Sequence, residues 1–203
     1  MEIKDHTNLV IAGNWNLGIL TPDWIIKEFP DKIKQKKDVP IEVSIGIGSI
    51  RFTIDDIIIQ PNLNRLDLIT NIEDDLHYNK IMDIALGIVQ KLPHTPLSAI
   101  GHNISYYLTT ETFKFFDEEK LDLFEDRYKE IIKNTVFNSQ QIKHSLDFED
   151  HILNIIYEVN RKKSHVNFNF NYKVSDRKKI ESYISSFKEN ISSSKNIFKK
   201  LVV

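Results

Sequence analysis

Seven histidines and no cysteine set the first limits on the chemistry open to this 203-residue chain. Without thiols there are no disulfides, no thiolate nucleophile and no Cys-ligated zinc or iron–sulfur site. The histidines are His6, His77, His94, His102, His144, His151 and His165, and no two have the i, i+4 spacing of a helical zinc site. His94, between Pro93 and Pro96, reads as a surface or capping residue of a turn. His144 falls on the apolar side of an alternating stretch and reads as a satisfied, half-buried histidine. Gly101-His102-Asn103 is more suggestive, because a glycine inside a strand marks a bulge or a close backbone approach that can re-aim a side chain. Gly13-Asn14 repeats the feature, and the simpler reading of both glycines is close packing against a neighbouring element.

The most ordered polar row is in 165–173, where His165, Asn167, Asn169, Asn171 and Lys173 alternate with apolar residues. Period-two alternation puts all five on one face of a strand, about 6.6–6.8 Å apart. Asparagine amides donate and accept, so such a row can recognise a polar partner without strong charge. Together with His102 and Asn103 these are the candidate binding residues, and no catalytic residue, metal ligand or cofactor is assigned. The acidic pairs Asp55-Asp56, Asp74-Asp75 and Glu149-Asp150 lie at turns or caps, and a nuclease would need carboxylates gathered on one metal. Ile45-Gly46-Ile47-Gly48-Ser49 lacks the Lys-Ser/Thr of a phosphate loop and opens no helix.

The elements that must position these residues follow from periodicity. Asp74–Leu92 has apolar residues at Ile81, Ile84, Ala85, Ile88, Val89 and Leu92, a helical repeat stopped by Pro93 and Pro96. Leu97–Leu108 then runs extended. Earlier, Asn8–Asn16 reads as a strand behind a short polar leader, and Thr21-Pro22 as an N-cap and first helical position. Ile41–Gly48 with its continuation Ile50–Ile54, then Ile57–Ile59 and Leu66–Thr70, read as three strands. After residue 97 come a helix over Glu118–Ile132, extended stretches over Val136–Phe148 and Ile152–Val159, and the strand His165–Val174. A last helix is capped by Ser175 or Asp176, with Ile180, Tyr183, Ile184, Phe187 and Ile191 inside.

Residues 1–95 and 96–203 therefore read as two copies of one unit: strand, helix, three strands, helix. The expected class is α+β, with an antiparallel sheet and the helices packed on one face. Leu9-Val10-Ile11-Ala12-Gly13-Asn14 beside Leu97-Ser98-Ala99-Ile100-Gly101-His102-Asn103 adds local similarity and sets Gly13 against Gly101. This order of elements resembles the duplicated TATA-binding-protein-like fold, although three middle strands fall one short of that unit. The resemblance is one of topology over most of the chain; no motif of the family is present, so DNA binding is not carried over.

Hydrophobic residues make up 41%, charged residues 28% and the net charge is -2, which suits a soluble core and lacks the basic excess of a nucleic-acid binder. No apolar run is long enough to span a bilayer, and no membrane partner is expected. The absence of cysteine fits a cytoplasmic setting, and the Ile, Asn and Lys content fits an A/T-rich bacterial or phage genome. The expected function is a non-catalytic binding or scaffolding protein that recognises a protein partner or self-assembles. The alternatives are a metal-dependent hydrolase or nuclease built from His102, His165 and turn carboxylates, and a nucleic-acid-binding module using the polar face of the sheet.

Overall fold

The computed structural model describes residues 3–35, 37–44, 49–108, 139–160 and 164–201. Within them the fold is α+β: nine antiparallel strands form one sheet, and helices cover one of its faces. In chain order the elements begin with β1 (Ile3–Gly13), α1 (Pro22–Glu28), β2 (Ile41–Ser44), β3 (Ser49–Ile54), β4 (Ile57–Asn62) and β5 (Arg65–Thr70). They continue with α2 (Asp75–Lys91), β6 (Leu97–Leu108), β7 (Ser139–Asp147), β8 (Ile152–Asn160), β9 (Ser164–Lys173), α3 (Ile180–Ser185) and α4 (Phe187–Leu201).

The spatial order is β2-β3-β4-β5-β1-β6-β9-β8-β7. β1 and β6 lie side by side at the centre, and each is flanked by the last strand of its own half, β5 or β9. Going outward, each half then steps back through its hairpins. Among the described residues the halves differ in strand number. Among the described residues four strands, rather than the expected three, separate α1 from α2, because β2 and β3 are distinct strands paired antiparallel, Ser44 opposite Ser49. The continuous alternation from Ile41 to Ile54 conceals that division. The helix expected over Glu118–Ile132 and the glycine pair Gly46 and Gly48 lie outside the described residues.

Alternation builds the core. Leu9 and Ile11 of β1, Leu66 and Leu68 of β5, Ile100, Ile104 and Tyr106 of β6, and Val166, Phe168 and Phe170 of β9 all turn toward the helices and are buried. From the other side, α2 contributes Ile81, Ile84, Ala85 and Ile88, and α4 contributes Ile191 and Phe198. Phe198 stacks on Tyr106 with 4.9 Å between ring centroids.

The punctuation is local chemistry. Thr21 caps α1 by accepting from the Trp24 N–H, and Pro22 opens the helix where its missing N–H costs nothing. Asp74 caps α2 through the His77 N–H at 2.8 Å. Asp55 and Asp56, both at positive φ, make the two-residue turn of the β3–β4 hairpin. Gly87 is needed where α1 meets α2, because a Cβ there would fall 2.2 Å from the Phe29 ring.

Several expectations are corrected. β1 starts at Ile3, so its polar beginning is strand and not leader. Gly13 ends β1 at a register shift, where a Cβ would meet the Pro96 carbonyl at 2.6 Å. Gly101 instead lies inside β6 opposite Val10, with ordinary space above it, so the two glycines do not occupy equivalent positions. His144 is exposed on the edge strand β7, edge-on to Tyr157, and is not half-buried.

Candidate functional site

One face of the sheet carries the helices; the other carries the polar alternates of every strand. Because Asn8 of β1 lies opposite Asn103 of β6, Asn103 opposite Asn169 of β9, and Asn169 opposite Asn154 of β8, four amides line up across the strands. They are joined head to tail. Asn103 Nδ2 donates to Asn8 Oδ1 at 2.7 Å, and Asn169 Nδ2 to Asn103 Oδ1 at 2.6 Å. Asn154 Nδ2 donates to Asn169 Oδ1 at 2.9 Å, and the Ser145 hydroxyl of β7 to Asn154 Oδ1 at 2.8 Å. At the far end, Asn8 Nδ2 reaches Asp67 Oδ1 of β5 at 3.5 Å, and Asp67 is paired with the Arg65 guanidinium.

This polar line crosses six strands and ends in an ion pair. Asn8, Asn154 and Asp67 are buried, while Arg65 is half exposed. Each amide bond has a modest net value, about 0.5–1.5 kcal/mol, but removing one member leaves its neighbours unsatisfied, which costs more. The arrangement therefore fixes its own geometry. The hydrogen bond and charge of Asp67 raise the pKa of Arg65 despite partial burial, so the guanidinium stays charged.

Beside the Asp67 end lies a trough of about 790 Å³, floored by Ile58 and Ile69 and walled by Arg51, Gln60, Asn62, Arg65 and Asn71. Arg51 is already engaged by Glu42 across the β2–β3 pair, its Nε donating at 2.8 Å. Over the described face the cations Arg51, Arg65, Lys143 and Lys173 are equalled in number by Glu42, Asp67, Asp147 and Glu158; Arg51 pairs with Glu42, Arg65 with Asp67, and Glu158 lies against His165. The field of the face is thus close to neutral.

The candidate residues divide. Asn167, Asn169, Asn171 and Lys173 lie on this face with Asn103, as the alternation of β9 requires. Asn167 accepts from the Ser105 hydroxyl, and Asn171 and Lys173 are exposed. His165 shares the face but does not present itself to solvent. It is buried, with Nε2 3.1 Å from Glu158 Oε2.

His102 is the clear correction. It shares the parity of Ile100, Ile104 and Tyr106, so it points into the helix-covered core and is fully buried, away from the polar face. Its ring lies against Tyr172 and Phe187, and Asn190 Nδ2 of α4 donates to His102 Nδ1 at 2.8 Å. That bond places the ring proton on Nε2 and holds the imidazole neutral. Burial, and then the charge of nearby His151, push His102 down to about 3 against a weaker pull from the Tyr183 main chain.

His102 and His165 therefore occupy opposite faces of the sheet and do not meet at a common ion. Among the described residues, no group of three or more His, Asp or Glu is placed to hold a metal. His94 is exposed in the turn after α2. That turn is held by a residue the sequence did not single out: Arg177 donates to the Val89, Leu92 and Thr95 carbonyls, closing the end of α2.

Among the described residues no helix is long and apolar enough to cross a membrane. No protein-family model matches the chain, and no curated protein matches it in sequence.

Proposed function

We propose that this chain is a non-catalytic binding or scaffolding protein of the cytoplasm that recognises a protein partner across the helix-free face of its sheet. The observation that carries the reading is the amide line from Asp67 through Asn8, Asn103, Asn169 and Asn154 to Ser145. Its side chains are ordered before any partner arrives, which lowers the entropic cost of docking. The equal numbers of cations and carboxylates on the described face favour a polar recognition surface without net charge over one for a polyanion, which would need an excess of cations along the face. With four strands between α1 and α2, the first half has the strand number of the TATA-binding-protein-like unit. That likeness supports a broad sheet surface and does not bring DNA binding with it.

The test uses Asn171, which is exposed on this face beside Gly101 and outside the amide line. Tagged protein is used to isolate a partner from its own cell extract, and the purified partner is titrated calorimetrically. Asn171→Arg is expected to weaken binding at least tenfold while leaving the melting temperature within about 2 °C, as surface substitutions do. Unchanged binding for Asn171→Arg and for Gln60→Arg would overturn the assignment of this face. Salt-sensitive binding of duplex DNA by the wild type, lost in the same variants, would replace the protein partner by a nucleic acid.

A further inference from the structure

The two edges of the sheet are built differently. β2 forms one edge; it has four residues and follows Pro40, so it offers little backbone to another strand. β7 forms the other. It has nine residues, no proline, and an unbroken register with β8 from Ser139–Asn160 to Asp147–Ile152. Natural edges are shielded by shortness, proline, bulges or inward charges. β2 is shielded by shortness, whereas among the described residues β7 carries only the charges of Lys143 and Asp147.

The backbone of β7 can be assigned side by side. Phe148 N donates to His151 O at 2.9 Å, so even-numbered residues of β7 direct their main-chain groups to β8. The odd-numbered residues Gln141, Lys143, Ser145 and Asp147 direct theirs outward, where no described strand lies.

We propose that β7 pairs antiparallel with β7 of a second copy, about a two-fold axis at Ser145. The sequence selects this register. Full overlap of the strand with itself would centre on Lys143 and set two lysines directly opposite, which is destabilising. Centring on His144 sets Lys143 against Ser145 and Gln141 against Asp147, with no charge pair. Centring on Ser145 sets Lys143 of each copy opposite Asp147 of the other, giving two complementary pairs per dimer.

The helix-side alternates agree with it. His144 then faces Leu146, and Ile142 faces Phe148. Leu146 and Phe148 are 46% and 53% exposed in the single chain and gain cover from the second copy. Ser145 is also the last member of the polar line, so the lines of the two copies meet at the axis. This inference uses the edge and not the face, and either can fail without the other.

Sedimentation equilibrium of the full chain tests it by charge exchange. Wild type is expected to dimerise. Lys143→Asp and Asp147→Lys each create two like-charge pairs and should weaken the dimer about tenfold or more. Combining the two substitutions should restore it. In this cysteine-free chain, Ser145→Cys should oxidise to a covalent dimer, since opposed Cα atoms about 5.5 Å apart are within disulfide reach. Gln141→Cys, with its two copies about 27 Å apart, should not. A wild type that stays monomeric at several hundred micromolar overturns the proposal. So does a dimer indifferent to the single charge reversals, a combined variant that does not recover, or equal crosslinking at 141 and 145. If a reversed variant fails to fold by circular dichroism, the cysteine pair decides alone.

Discussion

Lowering the pH from 7 to 5 should destabilise this protein by about 2 kcal/mol through His102 alone. The side chain is fully buried against Tyr172, Phe187 and Asn190, and its pKa falls from 6.5 to about 3. Between those values the unfolded chain takes up a proton that the folded chain refuses, so stability rises with pH and falls on acidification. At pH 5 the unfolded imidazole is 1.5 pH units below its ordinary pKa, worth about 2 kcal/mol at about 1.36 kcal/mol per unit. Urea denaturation of wild type and His102→Gln at pH 7 and pH 5 isolates the contribution. Glutamine keeps an acceptor for Asn190 and does not titrate. The variant is expected to be less stable at pH 7 but to lose about 2 kcal/mol less than wild type on going to pH 5. Equal losses in both would show that His102 is not held neutral by its surroundings, and the account of this cluster would fail.

Two further outcomes follow from the packing and the turns. Phe170→Ala should cost about 3–5 kcal/mol by chemical denaturation, because the ring is 3% exposed in the centre of the core face of β9. Asp55 is held by the Lys34 and Gln35 N–H groups, both at 2.8 Å, and by the Lys80 ammonium at 3.1 Å. Burial raises its pKa, but these donors together outweigh burial and hold it below the usual carboxylate value of 3.8. Its contribution to stability is therefore present above the unfolded pKa and lost as pH falls through the lower folded one. Asp55→Asn should lower stability at pH 7 by about 1–2 kcal/mol and flatten the acid limb of the melting curve below pH 4.

How much of this was readable beforehand depended on the range of the interaction concerned. Contacts within a few residues were readable: the Thr21 and Asp74 caps, the span of α2 to within a residue or two, and the whole of β6. The burial of Phe168 and Phe170 followed from alternation in β9. The orientation of His102 was also present in the sequence, since it shares parity with Ile100, Ile104 and Tyr106, but the adjacent glycine drew the reading toward a bulge. What the sequence withheld was register. Asn8, Asn103, Asn154 and Asn169 are far apart in the chain, and each looks like an ordinary polar alternate of its own strand. Only the pairing of β1, β6, β9 and β8 makes them neighbours. For the same reason the polar row was expected along β9, whereas the hydrogen-bonded row runs across the sheet. Arg177 was hidden in the same way, because the carbonyls it closes lie more than eighty residues earlier.

The direction of that row bears on what the face can do. A row along one strand would follow local backbone motions and would present amides with their hydrogen-bonding groups still turned to water. A row across six strands couples the two halves of the chain through side chains as well as through the β1–β6 backbone pairing. Asn103 and Asn8 join the halves directly, and the bond between them lies at the centre of the sheet. The spacing of the amides in this row is therefore set by strand separation, about 4.7–4.9 Å, and not by side-chain rotamers. Repeated spacing of that kind suits another regular backbone or a row of polar side chains. The row ends at the exposed Ser145 on one side and at the half-exposed Arg65 on the other. Between them the amides are already satisfied, so the proposed recognition should depend most on those ends and on the exposed Asn171 and Lys173 beside them.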